Sequence, residues 1–159
     1  MRALLLAAGF GTRLRPLTDH TPKCLVEINN KPLLSYWFDL LNPSCVDKIL
    51  VNTHYLPEQV EEFVKSSSHS SRTSIFFEKE LLGTGGTILK NRDFFANDSF
   101  IVVHADNLTL FNLEEFMSVH NNRPQSVEVT MMTFTTETPR SCGIIEADTD
   151  GIVHQFHEK

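Results

Sequence analysis

No apolar run in this chain is long enough to cross a bilayer, so a membrane-spanning helix is not expected. Met1-Arg2 is followed only by the short run Ala3 to Ala8. A secretory leader needs a longer apolar stretch and a cleavage site. Basic charge is scarce: 14 Lys and Arg against 20 Asp and Glu give a net charge of −6. That balance argues against nucleic acid as a partner. Cysteine is scarce too. Cys24, Cys45 and Cys142 are odd in number and far apart, with neither zinc spacing nor a disulfide pattern. A reducing, cytoplasmic setting is expected. With 41% apolar and 21% charged residues, the 159-residue chain reads as one soluble domain, residues 1–159. A domain of this size buries about 70% of its unfolded surface.

Two familiar glycine loops are also missing. Leu4-Leu5-Leu6-Ala7-Ala8 reads as a short buried strand, and Gly9 and Gly11 then open a loop. The dinucleotide fingerprint needs a third glycine where Leu14 stands. The P-loop needs Gly-Lys-Ser/Thr, whereas Gly11 is followed by Thr12-Arg13.

What is present is a cationic N-terminal segment. Among the first 31 residues, Arg2, Arg13, Arg15, Lys23 and Lys31 face only Asp19 and Glu27, a local charge of +3. Glycine keeps side chains clear, so backbone N–H groups can approach an anion, and arginine and lysine add charge-assisted contacts. A strand, a glycine loop and several cations make a site for a small polyphosphate. The plain alternative is a tight turn with surface arginines.

Further along, Pro32 opens a helix carrying Leu33, Trp37, Leu40 and Leu41 on one face. Ile49-Leu50-Val51 reads as a strand. Pro57 opens a helix with Val60, Phe63 and Val64 inward, and a polar loop follows at 66–71. Ser74 to Phe77 is the next strand. Leu82-Gly83-Thr84-Gly85-Gly86 then reads as a glycine-rich turn feeding a helix from Thr87 to Phe95. Phe100 to Val103 is a buried strand ending in His104-Ala105-Asp106. An acid at a strand's carboxyl end is well sited to hold Mg²⁺ through oxygen; a turn-capping aspartate is the plain alternative. His104 with Asp106 is the closest pair of candidate ligands, although a structural histidine is the commoner case. Asn112 and Glu115 fit a capping box. Val127 to Phe134 reads as a strand, and Asp148 to Gly151 as a hairpin turn. Alternating helices and strands followed by successive strands predict an α/β fold, a mostly parallel sheet with an antiparallel extension.

Gly9 to Thr18, with Pro22-Lys23-Cys24-Leu25 and Lys31-Pro32, resembles the signature of the sugar-1-phosphate nucleotidyltransferases, the nucleoside-diphosphate-sugar pyrophosphorylases. Their pattern runs Gly-x-Gly-Thr-Arg-Leu-x-Pro-Leu-Thr, then Pro-Lys-Pro-Leu, then Lys-Pro; Cys24 replaces a proline. Leu82 to Gly86 is similar to the family's Leu-Gly-Thr-Ala-Gly, which lies against the base. Asp106 matches an aspartate usually preceded by glycine. Cys142 to Glu146 and Phe156 to Lys159 resemble the family's sugar-side segment.

The resemblance implies a Rossmann-like three-layer α/β/α fold. It implies nucleotide contacts from Leu6, Ala8, Gly9, Gly11, Thr12, Gly83 and Thr84, with Arg13 and Lys23 catalytic. Asp106 would hold Mg²⁺. Gly143, Glu158 and Lys159 would serve the sugar phosphate. The substrates would be a nucleoside triphosphate and a sugar-1-phosphate, with a lean toward mannose-1-phosphate guanylyltransferase-like chemistry; a homo-oligomer is left open. Family members continue past the equivalent of Lys159 and supply a second metal-binding aspartate there. The chain is therefore expected to be C-terminally short. Two other readings remain at this stage, a non-catalytic nucleotide-binding or regulatory protein and an inactive fragment of a longer enzyme.

Overall fold

A computed structural model describes residues 1–41 and 44–158. The chain forms two compact units, Met1–Leu113 and Glu114–Lys159. In chain order the strands are β1 (Arg2–Leu6), β2 (Glu27–Ile28), β3 (Lys31–Pro32), β4 (Lys48–Thr53), β5 (Thr73–Phe77), β6 (Phe100–His104), β7 (Ile144–Ala147) and β8 (Val153–His157). The helices are α1 (Leu33–Leu40), α2 (Pro57–Ser66), α3 (Gly83–Lys90), α4 (Arg92–Phe95) and α5 (Leu113–Asn121).

The first unit is built on a four-stranded parallel sheet in the order β5-β4-β1-β6. The most apolar strand, β1, lies inside it, which is why its side chains need no polar alternation. Ala3, Leu4 and Leu5 are fully buried. Leu4 pairs in register with Leu50 and with Val102. Alternate residues point to opposite faces. On one face Leu4, Leu50 and Phe95 form a cluster, with Phe76, Ile88, Phe94 and Val102 packed around it. That face is covered by α3 and α4. Right-handed crossovers then fix the other layer. The chain steps outward from β1 to β4 to β5 through α1 and α2, then reverses through α3 and α4 to reach β6. Helices of opposite travel lie on opposite faces, so α1 and α2 cover Ala3, Leu5, Ile49 and Val51. Phe38 of α1 stacks on Phe63 of α2 with ring centroids 6.2 Å apart.

Two local differences from the sequence reading stand out. The buried face of α1 is Leu33, Leu34, Trp37 and Phe38, one position around from the expected stripe. Helix α3 begins at Gly83 rather than at Thr87, so the glycines lie inside its first turn. Glycine costs about 1 kcal/mol per helical position. Here buried side chains satisfy the start of the helix, because Glu78 Oε2 accepts the Leu82 N–H (3.1 Å) and the Thr87 hydroxyl lies 2.9 Å from Gly83 O.

The second unit contains α5 and an antiparallel hairpin, β7–β8, which forms a two-stranded sheet of its own. Its turn closes as expected, with Gly151 at φ +79° and Asp148 Oδ1 accepting the N–H groups of Asp150 and Ile152. Residues 127–134 do not form the expected strand. The segment has strand-like composition but pairs with no ladder among the described residues, and Val129, Met131, Met132 and Phe134 are exposed. Composition favours extended backbone; only a hydrogen-bonded neighbour makes it a strand.

Candidate functional site

The order in which strands are added reverses at the parallel pair β1 and β6, so the segments leaving their carboxyl ends diverge and open a crevice, the usual ligand position in such sheets. A cleft of about 220 Å³ lies there. Leu6 to Gly9 form one wall and Gly83, Thr84 and Thr87 of α3 another. Asn52, Glu78, His104 and Asp106 complete it with Lys23 and Cys24. Five expected nucleotide contacts, Leu6, Ala8, Gly9, Gly83 and Thr84, thus line one cleft, whereas Gly11 and Thr12 are not among its lining residues.

The loop after β1 is shaped by Gly11, whose φ of +66° is a conformation that favours glycine. A Cβ there would fall 2.9 Å from Thr18 Cγ2 and 3.2 Å from Lys23 Cβ, so the loop is drawn tightly over both. The fully buried Thr18 donates from Oγ1 to Gly11 O at 2.8 Å. A single turn of 3₁₀ helix, Thr12–Leu14, carries Arg13 outward. Arg15 pairs with Asp19 at 3.3 Å. Arg13 is exposed, and no ion pair or hydrogen bond holds its guanidinium among the described residues. The far end of the loop is strapped to the segment after β4. The Tyr55 hydroxyl lies 3.0 Å from Thr18 O and 2.9 Å from Asp19 O, and Gln59 donates to His20 O. Phe10 rests edge-on against His54, 5.1 Å between centroids.

Lys23 donates from Nζ to Asp106 Oδ2 at 2.8 Å. Both side chains are only partly exposed, 23% and 37%. The two residues come from opposite sides of the crevice, Lys23 from the loop after β1 and Asp106 from the turn after β6. The neighbouring Cys24 is buried, and burial pushes its thiol up to about 12. It is an uncharged wall of the cleft rather than a nucleophile.

No cluster of three or more histidine, cysteine, aspartate or glutamate side chains exists among the described residues, so a histidine-rich metal centre at His104 finds no support. A single carboxylate on a cleft wall does suit Mg²⁺, which keeps several waters and takes one or two carboxylates together with substrate phosphates. Asp106 fits that donor set, with its second oxygen, Oδ1, not used by Lys23.

In the second unit, Gly143 has a packing explanation: a Cβ there would meet the Phe156 ring at 2.6 Å. Glu158 is exposed. Lys159 lies outside the described residues. Sequence reasoning missed Asn52, Glu78, Thr87, Thr18 and Tyr55. The signal for the first was available: Asn52 is a polar residue in the otherwise apolar run Ile49 to Val51, near a strand's carboxyl end.

Residues 2–159 match the family model described as "Nucleotidyl transferase". The mannose-1-phosphate guanylyltransferase catalytic subunit beta of Drosophila pseudoobscura pseudoobscura is 33% identical over 99% of this chain and 43% of its own length. The UTP–glucose-1-phosphate uridylyltransferase of Synechocystis is 29% identical over the whole chain and 44% of its own length. This chain therefore spans under half the length of these relatives. Among solved structures, HddC of Yersinia pseudotuberculosis in complex with GMP-PN superposes with a TM-score of 0.74 at 24% identity, over 99% of this chain and 69% of that one. The CTP:phosphocholine cytidylyltransferase of Streptococcus pneumoniae gives 0.57 at 31% identity, over 70% and 47%. These structures share the parallel sheet and helical layers seen here. With the match running along almost the entire sequence, the chain belongs to the nucleotidyl transferase family.

Proposed function

We propose that this chain carries the nucleotide-activating part of a sugar-1-phosphate nucleotidyltransferase. The observation that supports this most is the pairing of Lys23 with Asp106 at the switch point, beside a glycine loop that presents an unpaired arginine. In the proposed reaction a phosphate oxygen of the sugar-1-phosphate attacks the α-phosphorus of a nucleoside triphosphate. A P–O bond forms, the bond to the β-phosphate oxygen breaks, and pyrophosphate leaves with the electron pair. The nucleophile is already an anion, so no strong base is required. The barrier is charge repulsion and positioning, which fixed cations relieve.

Lys23 is placed to neutralise the transferring phosphoryl and the incoming sugar phosphate, and Arg13 to fold over the departing pyrophosphate. The glycine loop offers backbone N–H groups to the phosphates. Gly83 and Thr84 give the base a wall with little side-chain bulk. Asp106 would hold Mg²⁺, which when bound supplies further positive charge to the phosphate oxygens. Glu158, Lys159 and Gly143 keep their proposed place on the sugar side by resemblance alone. Relatives named as mannose-1-phosphate guanylyltransferases support GTP and mannose-1-phosphate as first choice. A cytoplasmic setting suits these substrates, and no helix among the described residues is long and apolar enough to cross a membrane.

The test is pyrophosphate release with Mg²⁺ from each nucleoside triphosphate, against mannose-1-phosphate, glucose-1-phosphate and phosphocholine. Turnover with a sugar phosphate is the expected result. Triphosphate binding without turnover would favour a sensor role, and turnover with phosphocholine alone would reassign the acceptor.

A further inference from the structure

We infer that Asn52, Glu78 and Thr87 act together as positioning residues that set the gap between the two glycine-bearing walls of the cleft, and thereby its selectivity among nucleobases. The second half of this statement rests on the proposed nucleotide site; the first half does not.

The three side chains are 3%, 2% and 0% exposed, buried polar groups beneath the cleft that they help to line. They form one continuous path. Asn52 stands on β4, in register with Leu6 of β1 and Phe76 of β5. Its Oδ1 accepts the N–H of Ala7, the first residue beyond β1, at 2.7 Å. Its Nδ2 donates to Glu78 Oε1 at 2.9 Å and reaches Thr87 Oγ1 at 3.4 Å. The Thr87 hydroxyl lies 2.5 Å from Glu78 Oε1 and 2.9 Å from Gly83 O. Glu78 Oε2 accepts the Leu82 N–H at 3.1 Å. The path thus starts on the backbone of the loop that would hold the phosphates. It ends on the backbone of the helix start that would face the base.

Capping α3 would need Glu78 and Thr87 only. The bond from Asn52 to Ala7 has no part in a cap, yet it is what ties the network to the loop after β1. The Asn52 amide, the Glu78 carboxylate and the Thr87 hydroxyl are buried and bonded to one another, so removing one leaves its partner unpaired away from water. Such a network moves as a unit, and the walls it joins keep one spacing. Purine and pyrimidine bases differ in width, so a fixed gap discriminates between them without contacting the base edge.

The experiment compares wild type with Asn52→Ala, Thr87→Val and a control, Val64→Ala, whose side chain is buried on α2 away from the cleft. Backbone amide hydrogen exchange at Ala7 and Leu82 is read without nucleotide. Affinity for each of the four nucleoside triphosphates is then read by calorimetry. Asn52→Ala should speed exchange at Leu82 as well as at Ala7. Asn52→Ala and Thr87→Val should each narrow the ratio between the best and the next triphosphate by about tenfold, the equivalent of one buried hydrogen bond. Val64→Ala should leave that ratio unchanged at a comparable loss of thermal stability. Unchanged exchange at Leu82 in Asn52→Ala would overturn the coupling of the walls. An unchanged ratio in folded Thr87→Val would overturn the selectivity role. Wild type that binds no triphosphate would overturn the nucleotide site itself, while the exchange result still decides the coupling.

Discussion

Lys23 and Asp106 stand 83 residues apart in sequence and 2.8 Å apart in space. Their ion pair links the loop after β1 to the turn after β6 across the crevice. In the proposed reaction each has to exchange the other for a substrate group, the lysine for phosphate and the aspartate for metal. Lys23→Ala and Asp106→Asn should each lower pyrophosphate release by about 100- to 1,000-fold, the range seen when one transition-state donor is lost. Because the two share one interaction, the double variant should lose less than the product of the single losses. Steady-state rates for the four proteins of the cycle check this.

Arg13 is exposed and holds no partner among the described residues, so its removal should leave the fold untouched. Surface changes of this kind stay within about 0.5 kcal/mol. Arg13→Ala should therefore melt like wild type in urea while turnover falls by a factor of about 100 or more. Unaltered pyrophosphate release would remove Arg13 from the site.

Tyr55 fastens the end of the arginine-bearing loop through Thr18 O and Asp19 O. Tyr55→Phe keeps the ring beside Phe10 and deletes only the hydroxyl. A stability loss of about 1 kcal/mol is expected, the usual net worth of one hydrogen bond. Trypsin should also cut faster after Arg13, since the Arg15-Pro16 bond resists it. Equal cleavage rates in the two proteins would show that the loop is held by other means.

Arg72 clasps the end of α1 and the segment leading to β4. Its guanidinium donates to Leu41 O and Val46 O, each at 2.7 Å, and reaches His69 Nδ1 at 3.0 Å. Arg72→Ala would leave these carbonyls without their donor, and a loss of about 2 to 4 kcal/mol is expected. Denaturant unfolding measures it.

The same clasp makes stability depend on pH. Burial, and then the Arg72 cation, hold His69 below its ordinary value of 6.5. Between the folded and unfolded values the unfolded chain binds more protons, so stability rises with pH there. The His69 contribution is complete above about 6.5 and is lost as pH falls through the depressed folded value. Urea midpoints from pH 8 to 5 should show this fall, and it should be shallower in His69→Gln. Parallel curves for the two proteins would assign the pH dependence elsewhere, His120 being a second histidine shifted down by burial.

The sheet and one side of the site were legible in the sequence because their signals are local. Leu4 to Ala8 followed by two glycines needs no distant partner to be read, and Asp106 follows directly from a buried strand. The Asn52–Glu78–Thr87 path was not legible, since its members lie 26 and 35 residues from Asn52 and meet only after two crossovers. The glycines of α3 were misread for the same reason: propensity spoke against a helix that buried side chains hold in place. Residues 127–134 failed in the opposite direction, where a strong local pattern has no ladder to join among the described residues.

Because β1 is interior to its sheet, the first of the four strands to be made is flanked by one strand that follows soon after and another that arrives much later. A nascent chain that has reached only β5 can hold the glycine loop against β4. It still lacks the opposite bank of the crevice, and Lys23 has no counter-ion there. The cleft is therefore closed only by the last-made strand of this sheet, when β6 slots in beside the first-made one.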